Sequence, residues 1–565
     1  MKRKISFIAL SLLILSLSQF NKSLAVNYLA SDLLGQLDGS NNPVYTSSTQ
    51  ATGATGLSFP TMATLDAAGH RLFVTDCFNN RVLIFNLDNN NNLIDRIADN
   101  VLGQPDFISN SSATAQNGFN TPCSNIYDSS SNRLFVGDVA NNRIMIFDVT
   151  SVTNGENAIG VLGQTSFTTS TPGVSQTKLN GGSTVGFDSR TNYLYVTDQS
   201  NRVLVFDVAT TTNGEAAINV IGQPNFTSFE ASTTNSGFYE PVIVAIDQAT
   251  DRLFVSDKKN NRVLIFDIST ITNGEAAIGV LGQTDFVTNT SGTSQTKFYQ
   301  SQGLAFDSST NMLYVGADDN RILIFDVATT TNGEAAVNVI AQPNFTSSTA
   351  TTTQSGLSGP LGITLNQDNH RLYVGDGFNN RIMIFDLVRI TNSSFPAGTV
   401  GTSYNQTISI TNNQGTTTLS IASGSVPTGL SNTLNGTPTT AGLYNFTLQA
   451  TDAFSTGNII FKKDYSIVIG NQAVTVAPVA VAGGGGGGHF APPPPPVSPP
   501  NITEKPAEKT DPENNLEEKG DEEPSESEKP QTATSVRAIQ TQLLGLLEQL
   551  LDLLNKLLQQ TQVNS

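Results

Sequence analysis

The chain of 565 residues has no tryptophan, two cysteines, three histidines and five methionines, and only 13% of its residues are charged. Three histidines, at positions 70, 370 and 489, are too few for a zinc centre built on histidine. There is no CxxC pair, no nucleophile–base pair and no glycine-rich phosphate loop, so the common catalytic signatures are missing. No apolar run reaches the eighteen residues that argue for a membrane-spanning helix. The nearest is the mostly apolar stretch from Ile5 to Leu17. It follows Lys2-Arg3-Lys4 and precedes Ser23-Leu24-Ala25, so residues 1–25 read as a secretory signal peptide cut after Ala25. With no cysteine beside the cut, a lipid anchor is not expected, and the mature chain should be secreted or held at the cell surface.

Bases are also scarce. Lysine and arginine number 29 against 47 acids, for a net charge of −18, and residues 26–387 alone hold 32 acids and 16 bases. Such a surface repels phosphate backbones, so no nucleic-acid partner is expected.

What the chain has is a repeat. Asn-Arg followed by a short apolar run occurs at Arg81, Arg143, Arg202, Arg262, Arg321 and Arg381, with spacings of 62, 59, 60, 59 and 60 residues. Gly103-Gln104, Gly163-Gln164, Gly222-Gln223, Gly282-Gln283 and Ala341-Gln342 keep the same beat. Within one period, short β-rich runs alternate with Asn, Asp, Ser and Gly turns, as in Ser124–Asp128, Leu134–Val136, Ile144–Phe147 and Ala158–Leu162. Runs such as Val82-Leu83-Ile84-Phe85 do not alternate, so these strands should be buried on both faces. An antiparallel four-stranded unit used six times around an axis predicts an all-β fold, a six-bladed propeller over 26–387. The last copy ends at Leu387 without a fourth strand, and Leu33-Leu34-Gly35-Gln36 matches the fourth-strand signature. The N-terminal segment should therefore pair onto the last sheet and remove an exposed edge.

Val74-Thr75-Asp76-Cys77-Phe78-Asn79-Asn80-Arg81 and Val374-Gly375-Asp376-Gly377-Phe378-Asn379-Asn380-Arg381 resemble NHL repeats. That resemblance implies six-bladed propellers, which bind proteins or RNA in some proteins and catalyse in others. Some exported six-bladed propellers are lactonases or zinc lyases, so an extracellular hydrolase or lyase with a calcium ion in the channel is the alternative function. It requires Asp76, Asp138, Asp198, Asp257 and Asp376 to face the channel unpaired. The simpler expectation is that these aspartates bond turn amides or pair with the arginine four or five residues on, leaving no cofactor. The fifth repeat departs from the pattern, with Ala317 at the aspartate position and Asp318 next to it. His70 and His370 share a turn position filled elsewhere by Asn132, Asn192, Asp251 and Asn311, and should be turn residues. Cys77 and Cys123 fall on the same face of neighbouring units, where export makes a disulfide plausible; two unpaired small residues are the alternative.

The loops before each first strand (109–120, 168–180, 227–239, 287–299 and 346–359) are rich in Ser, Thr, Asn and Gln with scattered aromatics, and emerge together. Neutral polar loops on a rigid scaffold suit a protein or glycan partner.

Beyond Leu387 the pattern changes. Phe395-Pro396-Ala397-Gly398-Thr399, Val426-Pro427-Thr428-Gly429-Leu430, Thr437-Pro438-Thr439-Thr440-Ala441-Gly442 and Ala450-Thr451-Asp452 resemble the Ig-like, cadherin-related domains of bacterial surface proteins, implying a β-sandwich over 388–470. Its only acids, Asp452 and Asp464, are too few for a calcium site. Residues 471–534 hold a glycine run, five consecutive prolines and an acidic stretch, and should form a disordered linker. Over 535–562, ten leucines between Leu543 and Leu558 occupy one half of a helix, too wide for a two-stranded coiled-coil seam. That helix predicts self-association, with a membrane surface or another protein as the next reading and docking on its own propeller as the last.

Overall fold

A computed structural model describes residues 28–181, 184–454 and 457–472. The signal peptide, His489, nearly all of the 471–534 linker and the 535–562 helix lie outside the described residues.

Six four-stranded antiparallel sheets fill the first part of the chain. The N-terminal strand β1 is Asp32–Leu34. The first sheet is then β2 (Pro60–Asp66), β3 (Arg71–Asp76), β4 (Arg81–Asn86) and β5 (Asn100–Leu102). The second is β6 (Pro122–Asp128), β7 (Arg133–Asp138), β8 (Arg143–Asp148) and β9 (Gly160–Leu162). The third is β10 (Val185–Asp188), β11 (Tyr193–Asp198), β12 (Arg202–Asp207) and β13 (Asn219–Ile221). The fourth is β14 (Pro241–Asp247), β15 (Arg252–Asp257), β16 (Arg262–Asp267) and β17 (Gly279–Leu281). The fifth is β18 (Ser301–Asp307), β19 (Met312–Ala317), β20 (Arg321–Asp326) and β21 (Asn338–Ile340). The sixth is β22 (Pro360–Asn366), β23 (Arg371–Asp376) and β24 (Arg381–Asp386), completed by β1. The pairing of Leu33 with Met383 and Leu34 with Ile382 places β1 in the fourth-strand position that its Leu-Leu-Gly-Gln sequence implied. The fourth strand of the second sheet is shorter than the sequence suggests: β9 starts at Gly160, not Ala158, although Ile159 just before it still donates its N–H to Ile146 O.

Middle strands are buried almost throughout, so each sheet sits between neighbours. Separate apolar clusters fill the spaces between successive sheets; one joins Leu72, Val74 and Leu83 of the first to Tyr373, Ile382 and Ile384 of the sixth.

One motif sets the turns. Asn80, Asn142, Asn201, Asn261, Asn320 and Asn380 all take left-handed φ between 51° and 60°, a conformation asparagine tolerates better than most residues. Each spends its side chain on the next sheet: Asn80 Oδ1 accepts from Thr121 N, Asn142 from Gly181 N, Asn201 from Glu240 N, Asn261 from Gln300 N and Asn320 from Gly359 N. His70 and His370 occupy the other left-handed turn, at φ 53° and 51°, with Asn132, Asn192, Asp251 and Asn311 at the equivalent places.

The C-terminal part is also β. Strand β25 (Arg389–Ile390) pairs with β28 (Ile410–Thr411), and β27 (Tyr404–Asn405) with β30 (Asn435–Gly436). β26 (Gly398–Thr399), β32 (Gly457–Gly470), β31 (Gly442–Phe454) and β29 (Thr416–Gly424) form the larger sheet in that order. This sandwich shares one apolar cluster with the fifth and sixth sheets. Tyr28 bolts the junction: its hydroxyl donates to Asp386 O and Asn412 O, and its ring lies 5.1 Å from that of Phe454.

Candidate binding face

The six motif arginines are fully buried. Arg81 shows how such a charge is tolerated: Nε donates to Asp76 Oδ2 at 2.7 Å, Nη2 to Gly53 O and Gly56 O at 3.0 and 2.9 Å, and Nη1 to Phe107 O. Asp76 in turn accepts from Ser58 N at 2.6 Å and Asn79 Nδ2 at 2.8 Å. Arg143–Asp138, Arg262–Asp257 and Arg381–Asp376 repeat the arrangement at 2.6–2.7 Å. A buried charge is costly unless paired and hydrogen-bonded, and here each of the three guanidinium nitrogens of Arg81 has an acceptor. Burial pushes the carboxyls of Asp76, Asp138, Asp257 and Asp376 up to about 6, against the pull of the paired arginine. In the third sheet Asp198 sits four residues from Arg202 instead of five and receives both Nη2 and Nε, at 2.8 and 3.1 Å.

The fifth sheet departs from the other five, as the change to Ala317 leads one to expect. The carboxylate nearest Arg321 is Asp319, 2.9 Å from Nη2, and not Asp318, whose Oδ1 accepts from Gln302. Ala317 ends β19 where an aspartate ends the other second strands, so the substitute must come from the turn itself. It fits less well: Arg321 Nε and Asp319 Oδ1 are buried without hydrogen-bond partners.

These pairs consume the carboxylates a channel-bound calcium would need. The first strands of all six sheets surround a cavity of about 190 Å³ whose walls include Thr64, Ile126, Phe187, Ile246, Phe306 and Leu365. Its lining carries no charged side chain and no histidine; the polar side chains there are Thr64, Gln248 and Thr364. Among the described residues no group of three or more His, Cys, Asp or Glu is placed to hold a metal ion. Asp452 in the sandwich is also occupied, accepting from the backbone N–H groups of Gln414 and Gly415.

The repeat is broken at the turns on the Asp–Arg end of the sheets. A residue in each turn donates its N–H to the stretch before its own first strand: Phe78 to Ser58 O, Ala140 to Asn120 O, Gln199 to Asn180 O, Lys259 to Tyr239 O, Asp318 to Tyr299 O and Phe378 to Ser358 O. Two of these six are phenylalanines, 55% and 62% exposed. Between them lies Phe59, whose ring stacks on Phe78 at 4.5 Å, with 9° between the planes, and meets Phe378 edge-on at 5.4 Å. Phe59 has φ 55°, a left-handed conformation that costs a bulky residue about 1–3 kcal/mol. A β-carbon at Gly359 would lie 2.4 Å from the Phe378 ring, so glycine makes the room that ring needs. Beside the cluster Cys77 is disulfide-bonded to Cys123, Cα atoms 5.2 Å apart, tying the Phe78 turn to the second sheet.

The long loops singled out in the sequence also expose apolar side chains, Phe229, Tyr239, Val287 and Tyr299 among them, but singly. The aromatic trio was not legible as a group. Phe78 and Phe378 share one register of the repeat, opposite Ala140 and Lys259, and an apolar residue in that turn was the available signal.

Among the described residues no helix is long and apolar enough to cross a membrane. No curated protein matches the chain. Residues 387–466 match the family described as Putative Ig domain, which covers the sandwich from the end of β24 to within β32.

Proposed function

We propose that the chain is an exported or cell-surface binding protein in which six sheets form a closed six-bladed propeller of the NHL type, whose turn-and-loop face recognises a protein or a glycan. The ring is supported by the series of asparagine contacts between successive sheets, which Asn380 Oδ1 completes by accepting from Phe59 N at 2.8 Å. Packing of β2 against both β6 and β22 agrees with it. The binding reading rests on the exposed rings of Phe78 and Phe378, placed where the repeat otherwise carries Ala, Gln, Lys or Asp. A residue that serves only the fold should recur in every repeat, whereas these do not. The Ig-like sandwich, a kind of domain typical of surface or extracellular proteins, acts as a spacer.

A channel-bound calcium and hydrolase or lyase chemistry lose support because the aspartates they would use already hold arginines and amides. The leucine-rich segment 535–562 is proposed to self-associate. Light scattering should give an oligomer for the mature chain and a monomer for one ending at Gly470.

The experiment for the binding reading is a screen of the mature chain against immobilised glycans and surface proteins. Specific binding that weakens when Phe229 or Phe78 is replaced by Ala supports it. Binding to neither class refutes it.

A further inference from the structure

Among the described residues Phe78 and Phe378 stand exposed, with half-buried Phe59 between them. Phe59 is held in a conformation bulky residues avoid, Gly359 clears space for Phe378, and the Cys77–Cys123 bond fixes the Phe78 turn. The left-handed position itself recurs in every sheet, at Thr121, Glu240 and Gln300 among others, but the cleared space and the disulfide hold the rings in place, as a preformed binding surface requires. The surroundings narrow the ligand. At the left-handed position before each first strand and at the turn position, the sixth, first and second sheets carry Gly359 and Phe378, Phe59 and Phe78, Thr121 and Ala140. None is charged. The charged residues at these positions, Glu240, Lys259 and Asp318, belong to the fourth and fifth sheets.

Adjoining loops supply mostly neutral hydrogen-bonding groups, with Asp106 and the exposed Ile108 just before the second of them. Residues 46–55 read Thr-Ser-Ser-Thr-Gln-Ala-Thr-Gly-Ala-Thr, and 109–114 read Ser-Asn-Ser-Ser-Ala-Thr. A protein partner typically buries about 800 Å² on each side around anchors seated in pockets. Three rings flanked by hydroxyls and amides instead match a molecule with one small C–H face and a rim of hydroxyls. We infer that Phe59, Phe78 and Phe378 form a stacking subsite for a neutral saccharide. This rests on the loop-face binding reading and assigns the class of ligand within it.

The test is an array of neutral oligosaccharides probed with the mature chain, followed by calorimetric titration of the best binder. The titration compares wild type with Phe78→Ala, Phe378→Ala, Phe378→Tyr and, as a control on the sandwich, Leu443→Ala. The subsite predicts an affinity loss of about tenfold or more in each of the Phe→Ala variants, and wild-type affinity in Phe378→Tyr and Leu443→Ala. All substituted side chains are exposed, and circular dichroism checks that each variant is folded. Saccharide binding unchanged by Phe78→Ala and Phe378→Ala overturns the subsite and leaves loop-face binding standing. Binding of a surface protein but of no neutral saccharide does the same. Failure to bind either class removes both.

Discussion

Asn380 Oδ1 accepts the backbone N–H of Phe59 at 2.8 Å, joining the sixth sheet to the first across 321 residues of sequence. The same seam carries Arg371, whose Nη1 and Nη2 donate to Asn91 O and Asn92 Oδ1 at 3.0 Å. On its other edge the sixth sheet depends on β1 and Tyr28.

Deleting residues 26–38 should therefore leave β24 with an unpaired edge and remove the Tyr28 contacts to Asp386 and Asn412. Scanning calorimetry should show a markedly lower Tm; an unchanged Tm would mean that β1 contributes nothing to closure.

Asp138→Ala leaves Arg143 buried with its Nε unmet and should cost about 3–5 kcal/mol in chemical denaturation. The fifth sheet offers the converse. Ala317→Asp combined with Asp319→Ser recreates the four-residue spacing of Asp198 and Arg202 and gives Arg321 Nε an acceptor. This double variant should raise the denaturation midpoint; a lower midpoint would show that the present Asp319 pairing is the better one.

Replacing both Cys77 and Cys123 with Ser removes a crosslink between residues 46 apart. The expected loss is about 2–4 kcal/mol, read as a lower midpoint that reducing agent reproduces in wild type but not in the variant.

His370 gives a pH dependence. It is buried, Nδ1 donates to Val388 O at 2.6 Å, Nε2 lies 3.7 Å from Asp307 Oδ2 without a hydrogen bond, and Phe461 of the sandwich packs on the ring. Burial pushes its pKa below the ordinary histidine value, with Asp307 pulling the other way and Arg389 adding to the depression. The unfolded chain thus binds this proton more readily than the native one. The stability His370 contributes is present above about pH 6.5 and is lost as pH falls, with a limiting slope of about 1.4 kcal/mol per pH unit. Asn132, Asn192 and Asn311 occupy the same turn position, so His370→Asn should fold. Denaturation from pH 7 to 5 should show wild type losing stability relative to His370→Asn; parallel curves would clear His370 of that role.

Local chemistry was readable from the chain. The 60-residue period, the strand runs, the asparagine-bearing turns and the arginine four or five residues after an aspartate all depend on neighbours close in sequence. Each repeat therefore states them for itself, and the same holds for β1, whose Leu33-Leu34-Gly35-Gln36 copies a fourth strand. Tertiary structure alone decided which groups meet across sheets. That Asp319 and not Asp318 faces Arg321 depends on where the shortened turn points after Ala317. That Phe59 lies between Phe78 and Phe378 depends on bringing the first sheet beside the sixth. Sequence periodicity makes the sheets equivalent, but only their packing brings together residues from opposite ends of the repeat array, and the candidate site lies at that seam.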